Sequence, residues 1–415
     1  MGEGGKRTLS GVILLTLLVA GIVIWFQWKD GRGGKASGAS GFSGNTQKSE
    51  RTDLASDSLS VDPPVDPVEE GLVIDDPTFT FDEFVTKFES SKSERESFAI
   101  YTALRDRLLS MNEEAAAKLI SDYLNSGKDV NTDLGFAVGP DGVLETAPTL
   151  RTLLLDLLMQ FDPAGAVDFA RDLIANPASA DEYAMALRNL AWYDLKGDMR
   201  VEVGSAFSAM LDQTKWLSSP SDGFLEAFDL AIFVGNEQAV LDLASVINLE
   251  DDDGTLVENG VSRAAFMALD RLALENPDLL LSMIERDPEF LEHAPRQRAS
   301  IMARLDVREP GRGAAILKYL NSGIPAEEIR GFAKAFPNQN FSFGNRLVSS
   351  QEESNSIAEV LEIDKASLKW VRNSLNKGSS EEVTNAIASI GNRLERYIAD
   401  AKKRGGDPTE VPPLE

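Results

Sequence analysis

The chain has 415 residues, and its hydrophobic content of 43% suits a folded protein but is too low for a chain that crosses a membrane many times. It carries 67 acidic against 41 basic side chains and no cysteine, which excludes disulfides, thiol chemistry and thiolate metal sites. Of the net charge of −26, −22 falls downstream of residue 77. So acidic a region repels phosphate backbones, and we therefore expect no nucleic-acid partner.

The first predicted element is a transmembrane helix from Leu9 to Trp28. This segment has no charged side chain, and at about 1.5 Å per residue it is long enough to span a bilayer core. Lys6 and Arg7 also suit a cleaved signal peptide, but bulky Trp-Phe-Gln-Trp stands where cleavage requires small residues. We therefore expect a single-pass membrane anchor behind a short tail of residues 1–8. Because such a tail usually stays in the cytoplasm, we expect export of the remainder, with the cytoplasmic side as the alternative.

Residues 29–79 have the composition of a linker. The first part is rich in Gly and Ser, and the second part is rich in Asp and Pro. Such a chain is flexible and then extended, and about 50 residues of it span roughly 40 Å. We expect it to tether the following domain near the membrane.

From residue 80 the apolar residues recur with the period of an α-helix, which predicts an all-α domain. Two clear stripes comprise Leu150, Leu153, Leu154, Leu157, Leu158 and Phe161, and Val383, Ile387, Ile390, Leu394, Tyr397 and Ile398. The exception is residues 136–145, where short apolar runs flank a Gly-Pro-Asp-Gly turn. This pattern predicts one small β-hairpin inserted among the helices.

Helix starts are marked by two kinds of signal. The first is the capping box, in which a hydroxyl and a carboxylate satisfy amides at the start of a helix. It occurs at Ser93–Glu96, Ser179–Glu182, Ser350–Glu353 and Ser379–Glu382. The second is a proline at the first helical position, expected at Pro163, Pro277 and Pro310.

Turn markers recur at a regular distance between pairs of amphipathic helices. They are Pro163, Asp198, Asn236, Pro277 and Pro310, separated by 33–41 residues. The segment AAKLISDYLNSG at 116–127 is echoed by AAILKYLNSG at 314–323. A helix-turn-helix unit of this length indicates an α-solenoid. We assign residues 80–335 to this helical repeat domain, 336–350 to a loop, 351–404 to a C-terminal helical cap and 405–415 to a disordered tail.

Over residues 94–335 the chain resembles HEAT-like and TPR-like helical repeat proteins, although the TPR signature of Trp, Leu-Gly and Tyr at set spacing is missing. In layout it is also similar to membrane-anchored bacterial envelope proteins of unknown function. The resemblance implies a solenoid with an extended concave surface, and it identifies no functional residue. A non-repetitive helical bundle is the alternative.

No catalytic or cofactor motif is found in the sequence. His293 is the one histidine, and it stands without a partner for metal ligation or a nucleophile elbow. The acidic loop at Asp251–Asp253 does not match a calcium-binding EF-hand, because Leu249 and Gly260 occupy the positions that need carboxylates. We expect no cofactor, no metal and no enzymatic activity.

Three phenylalanines stand out in the polar loop after the repeat domain. Phe336, Phe341 and Phe343 either cap the end of the helical core or form a contact patch on the surface. Capping is favoured, because exposed apolar patches are uncommon.

Two functional hypotheses follow. The first is a membrane-tethered protein-binding or scaffold module that holds a protein partner, basic in character, on its acidic helical surface. The alternative is a hydrolase or binder of an envelope glycan that works through paired carboxylates, which need neither histidine nor cysteine.

Overall fold

A computed structural model describes seven stretches of the chain. These are residues 80–139, 142–194, 197–247, 260–339, 344–348, 355–378 and 380–405. By its contacts the chain divides into Met1–Gly71, which lies outside these stretches, and Leu72–Glu415, which contains all of them. The predicted tail, anchor and linker at residues 1–79 therefore lie outside the described residues. Within the described stretches, no helix is long and apolar enough to cross a membrane.

The described residues are mostly helical, which confirms the all-α prediction at the level of fold class. The helices before the middle of the chain are α1 (Phe81–Ser90), α2 (Glu94–Leu109), α3 (Glu113–Asn125), α4 (Leu150–Phe161), α5 (Pro163–Ala175), α6 (Ala180–Tyr193) and α7 (Arg200–Leu211). The following helices are α8 (Thr214–Ser218), α9 (Asp222–Glu226), α10 (Leu230–Val234), α11 (Glu237–Ile247), α12 (Gly260–Glu275) and α13 (Pro277–Arg286). The last are α14 (Pro295–Met302), α15 (Arg312–Leu320), α16 (Ala326–Ala335), α17 (Ile357–Ser374) and α18 (Glu381–Gly405). A 3-10 turn, Ala227–Asp229, joins α9 to α10.

The predicted β-hairpin is confirmed. Strand β1 (Ala137–Val138) pairs antiparallel with strand β2 (Leu144–Thr146). The amide of Gly142 donates to the carbonyl of Gly139 over 3.1 Å and closes the turn. This hairpin lies between α3 and α4, so it is an insertion in an otherwise helical array.

Several predicted helix starts are confirmed by their hydrogen bonds. The hydroxyls of Ser93 and Ser179 accept the amides of residues three positions later, at 3.2 and 3.1 Å. Pro163 and Pro277 each occupy the first turn of a helix whose preceding Asp or Asn caps it. The prediction at Pro310 is wrong, since α15 begins at Arg312 after Gly311 in a left-handed conformation.

Of the two C-terminal starts, the one predicted at Ser350–Glu353 falls outside the described residues, and the one predicted at Ser379 is capped one residue later. Ser350 and Ser379 lie outside the described residues. The caps of α17 and α18 are Ser356, which accepts the amide of Glu359 at 3.2 Å, and Ser380, which accepts the amide of Val383 at 3.2 Å. A neighbouring serine can satisfy the same amides, so the pattern locates a start only to within a few residues.

Two clusters of buried apolar side chains form the core. The first extends from α1 to α14 and contains the hairpin, and the second is built from α14 to α18. Neighbouring helices pack in sequence, for example α5 on α6, α11 on α12 and α17 on α18. Helix α4 is buried on all sides, because all residues from Leu150 to Leu158 are buried, including Arg151 and Asp156. The structure thus buries the whole circumference of a helix for which the apolar stripe predicted one buried face.

The C-terminal stripe is confirmed at its centre and differs at one residue. Its aliphatic members on α18 are buried, whereas Tyr397 is 53% exposed. Tyr397 lies at the edge of the stripe, where an aromatic ring can lie on the core while its hydroxyl stays in water.

Candidate functional site: a groove occupied by residues 344–348

After α16 the chain returns to helices that precede it by about 120 residues. The amide of Arg346 donates to the Glu226 carboxylate over 2.8 Å, and the amide of Val348 donates to the Asp229 carboxylate over 2.8 Å. The Asn345 side chain donates to the carbonyl of Leu225. Two of these three hydrogen bonds use main-chain amides at alternate residues, so the segment is held largely by its main chain.

Leu347 anchors this segment. It is completely buried and belongs to the first core cluster, and Val348 packs against the same cluster. Residues 344, 345, 346 and 348 are only partly buried. Leu347 and Val348 therefore provide the apolar contact between the segment and the first core, and Leu347 is the fully buried one.

The β-hairpin turn closes the site on the other side. A Cβ atom built at Gly142 would lie 3.2 Å from the carbonyl oxygen of Leu347 and 3.4 Å from that of Arg346. It would lie only 2.6 Å from Cζ2 of Trp192. The glycine thus allows the turn, the Trp192 ring and the segment's backbone to meet. We call the surface formed by Gly142, Trp192, Leu225, Glu226 and Asp229 the 344–348 groove.

A buried polar cluster supports this groove. The Arg188 guanidinium is fully buried and donates to the Asp156 carboxylate over 2.5 Å and to the carbonyl of Gly142 over 3.1 Å. It lies 4.1 Å from the centre of the Trp192 ring. Asn189 accepts from the same guanidinium and donates to the carbonyl of Leu155 over 3.1 Å. Arg188 therefore holds the turn and the aromatic wall of the groove in one arrangement.

The groove is acidic. Burial raises the pKa of the Glu226 carboxyl, and the negative charges of Asp229 and Asp222 act in the same direction, while the amide and the charge of Arg346 oppose them. Burial also raises the pKa of Asp181, whose carboxylate accepts the amide of Gly223 at 3.0 Å. A basic side chain next to Glu226 is therefore electrostatically favoured here.

Arg271 lies at the start of the segment. A Cβ atom at Gly344 would lie 3.1 Å from a terminal nitrogen of Arg271, so the guanidinium packs directly on the chain at this point. The same guanidinium lies 3.8 Å from the Asp229 carboxylate. The positive charge of Arg271 thus offsets part of the negative charge of Asp229, which accepts the amide of Val348.

Phe336, the first of the three phenylalanines of the candidate contact patch, lies in the second core. It is completely buried, stacks on Phe332 with ring centres 5.0 Å apart and contacts Trp370 at 5.2 Å. Its burial corresponds to the capping alternative, since the ring covers the end of α16 and is not available as a surface contact. Phe341 and Phe343 lie outside the described residues.

The other residues considered from the sequence are not brought together into a site. His293 is exposed. The acidic loop around Asp251–Asp253 lies outside the described residues. Within the described stretches, no group of three or more His, Asp or Glu side chains is arranged to hold a metal ion.

Eight of the ion pairs among the described residues connect positions that are 30–34 residues apart in the chain. Four are largely buried and four are more exposed. The buried pairs are Arg151–Glu182, Asp156–Arg188, Asp270–Arg304 and Arg298–Glu328. The exposed pairs are Arg171–Glu202, Asp278–Arg312, Glu285–Lys318 and Arg296–Glu327. Five of these eight separations are shorter than the 33–41 residues found between the turn markers, and the other three fall at the lower end of that range.

Reasoning from the sequence missed the role of residues 344–348. The segment reads Gly-Asn-Arg-Leu-Val inside a polar loop. A single aliphatic pair carries no periodicity, and no local pattern relates it to acidic residues 120 positions earlier. Its only signal is an isolated leucine among polar residues.

No family model, no curated protein and no solved structure matches this chain.

Proposed function

We propose that this chain is a protein-binding scaffold module that holds a polypeptide segment in the 344–348 groove and performs no chemistry of its own. One observation carries the proposal, namely that a segment of the chain already lies there through main-chain amides bonded to Glu226 and Asp229. Binding through main-chain amides gives affinity independent of side chains, while a pocket for a single side chain gives selectivity.

The architecture proposed for this module is an α-solenoid of the HEAT-like or TPR-like kind. The ion pairs at 30–34 residues support it, because equivalent positions of stacked repeats are one repeat length apart. The packing of helices on partners no more than four helices away along the chain supports it as well. Solenoids commonly bind polypeptides along their extended surfaces.

We also propose that the module is tethered to a membrane by the apolar segment Leu9–Trp28, with its helical domain on the exported side. The support for the anchor is a segment of bilayer length without charged residues. A tether of about 50 flexible residues leaves the domain free to meet a partner within roughly 40 Å of the surface.

The partner that fits is a basic polypeptide. The net charge of −22 downstream of residue 77 attracts cationic partners and repels polyanions. The acidic residues Asp222, Glu226 and Asp229 concentrate this charge at the groove. A glycan-cleaving pair of carboxylates would need both groups to face the substrate, whereas Glu226 and Asp229 here bond to main-chain amides.

The test is affinity capture from detergent-solubilised membranes of the source organism, with the full-length wild-type chain as bait. The matched control is the Glu226→Gln, Asp229→Asn double variant, which has the same size and keeps a polar atom at each position. We expect a stoichiometric protein partner that the wild-type chain captures and the double variant loses. Capture of glycan alone, or the same proteins with both baits, would overturn the proposal.

A further inference from the structure

We infer that the acidic segment of residues 406–415, which follows α18, docks in a cleft with a basic rim between α17 and α18. The inference goes beyond the proposed function and does not rest on it, because this cleft belongs to the helices of the second core cluster. The docked segment covers a basic surface on an otherwise acidic chain.

The cleft has a volume of about 510 Å³ and is lined by residues of both helices. Its rim carries three cationic side chains of α17, which are Lys365, Lys369 and Arg372. One carboxylate, that of Glu395 on α18, also lies on the rim. The floor consists of apolar side chains, namely Leu368, Ile398 and Ala399. Three positive charges and one negative charge thus surround an apolar floor.

The cations of the rim are available to a further carboxylate. Lys369 is exposed and forms no ion pair with another residue of the described stretches. Arg372 pairs with Glu395 over 2.8 Å, and Lys365 pairs with Glu362 over 2.6 Å. The side chains of both pairs are 39–62% exposed. Exposed pairs of this kind are weak, and each cation has additional N–H groups to donate.

Net charge distinguishes these two helices from the rest of the acidic region. Residues 356–405 contain nine basic and seven acidic side chains, a net charge of +2. Residues 78–355 contain 25 basic and 46 acidic side chains, a net charge of −21. An acidic segment is therefore repelled by most of the region and attracted to the pair of α17 and α18.

Residues 406–415 lie outside the described residues, and their sequence is complementary to the cleft. They read Gly-Asp-Pro-Thr-Glu-Val-Pro-Pro-Leu-Glu, with three carboxylates and no basic side chain. The carboxylates match the cations of the rim, and Val411 and Leu414 match the apolar floor. The three prolines restrict the free chain, which lowers the entropic cost of docking.

The segment begins within reach of the cleft. Helix α18 continues to Gly405, about 9 Å beyond Ala399 at about 1.5 Å per residue. The Gly-Asp-Pro sequence that follows favours a turn, which directs the chain back towards the cleft. Residues 407–415 span about 28 Å when extended. This length exceeds the 9 Å of return together with the roughly 10 Å between Lys365 and Arg372 along α17.

The absence of cysteine from the chain permits a test with introduced pairs of thiols. One full-length variant, held in detergent, carries Asn373→Cys and Leu414→Cys, because Asn373 is an exposed, uncharged residue that lines the cleft. The matched control carries Tyr397→Cys and Leu414→Cys. Tyr397 is 53% exposed and is closer to the segment in sequence, but it lies about 200° around α18 from Glu395 and Ala399, which line the cleft.

Under a mild oxidant at low salt, the disulfide within one chain should form about tenfold faster in the Asn373 variant than in the Tyr397 variant, because docking raises the local concentration of the two thiols. About 1 M NaCl should remove the difference, since it shortens the screening length to about 3 Å. Adding Asp407→Asn, Glu410→Gln and Glu415→Gln should remove it as well. Equal rates at low salt would overturn the inference, because a segment without a preferred site reacts at least as fast with the thiol that is closer in sequence.

Carbodiimide coupling of the wild-type chain provides a second measurement that requires no variant to fold. The reagent joins a lysine amine to a carboxylate in contact with it, and mass spectrometry of tryptic peptides locates the link. Lys369 should be joined to the peptide of residues 405–415, and a mixture of isotope-labelled and unlabelled chains should show that the link lies within one chain. Coupling of Lys369 to the acidic residues 36–77, to a second copy or to another protein in place of residues 405–415 would contradict the inference, as would the absence of any link from Lys369.

Discussion

Arg188 has the largest side chain that is completely buried among the described residues. A buried guanidinium is tolerated only when its charge and its hydrogen bonds are matched, and here Asp156, Asn189 and the carbonyl of Gly142 match them. Such pairs add little net stability, but removing one partner leaves a buried charge alone. The effect that matters is geometric, because the same side chain positions Gly142 and Trp192 at the groove.

Asp364 is a buried carboxyl, and the loss of its proton destabilises the folded state. Burial raises its pKa to about 6, against the opposing charge of Arg393. The folded state therefore holds this proton more tightly than the unfolded state. Protonation of Asp364 thus stabilises the fold fully at pH values below the ordinary pKa of aspartate. That effect is lost as the pH rises through about 6.

We expect Asp364→Asn to raise the free energy of unfolding at pH 7.5 by about 2 kcal/mol, since a shift of one pKa unit is worth about 1.4 kcal/mol. At about pH 3, below the ordinary aspartate pKa, the variant and the wild-type chain should be nearly equally stable, because Asp364 is then largely protonated in both states. Urea unfolding at the two pH values checks this. A variant that is equally or less stable at pH 7.5 would contradict the assigned burial of the charge.

At the scale of elements, the echo between residues 116–127 and 314–323 is also structural. Tyr123 and Tyr319 are both buried near the ends of α3 and α15, and each lies close to a buried Arg–Glu pair. These pairs are Arg151–Glu182 and Arg298–Glu328. Both segments end in a glycine at positive φ, Gly127 at 68° and Gly323 at 86°. In two distant parts of the chain, a helix is thus followed by a glycine in the same left-handed conformation.

This equivalence predicts equal effects of the same substitution at both glycines. Gly127→Ala and Gly323→Ala should each lower the free energy of unfolding by about 1–2 kcal/mol, because an L-residue is strained in the left-handed region. Space is not the cause, since no atom lies within 4 Å of a Cβ at either position. Gly135→Ala is the control, because it has the same free space without a left-handed backbone. A loss of the same size at Gly135, measured by thermal unfolding, would contradict the conformational explanation.

At the scale of the whole described domain, two core clusters are linked by a returning chain. The second cluster contains α14–α18, yet Leu347, between α16 and α17, is buried in the first. Helices otherwise pack on partners no more than four helices away along the chain. In the repeat array that we propose, a local loss of stability would spread to adjacent repeats and fade with distance.

We therefore expect a defect in the second cluster to leave the first one protected. Ile390→Ala on α18 empties a fully buried position, which typically costs about 2–5 kcal/mol. Amide hydrogen exchange measured by mass spectrometry should rise in α16–α18 and remain unchanged in α4–α7. Val201→Ala, at a position 79% exposed, is the control. An equal rise in α4–α7 would indicate one cooperative bundle in place of a repeat array.

The sequence by itself determined the helical class, the β-hairpin and several helix starts, such as those capped by Ser93, Asp162 and Asn276. These features depend on residues at most a few positions apart, and such contacts leave a pattern in the sequence. The tertiary structure alone decided that Tyr397 is exposed and which of many acidic residues pair with arginines. It also decided that Leu347 lies in the first core. Contacts between residues 30 to 120 positions apart leave no periodic pattern in the sequence. Many side chains of similar chemistry could make each of these contacts, and only the packing of the helices selects the one that does.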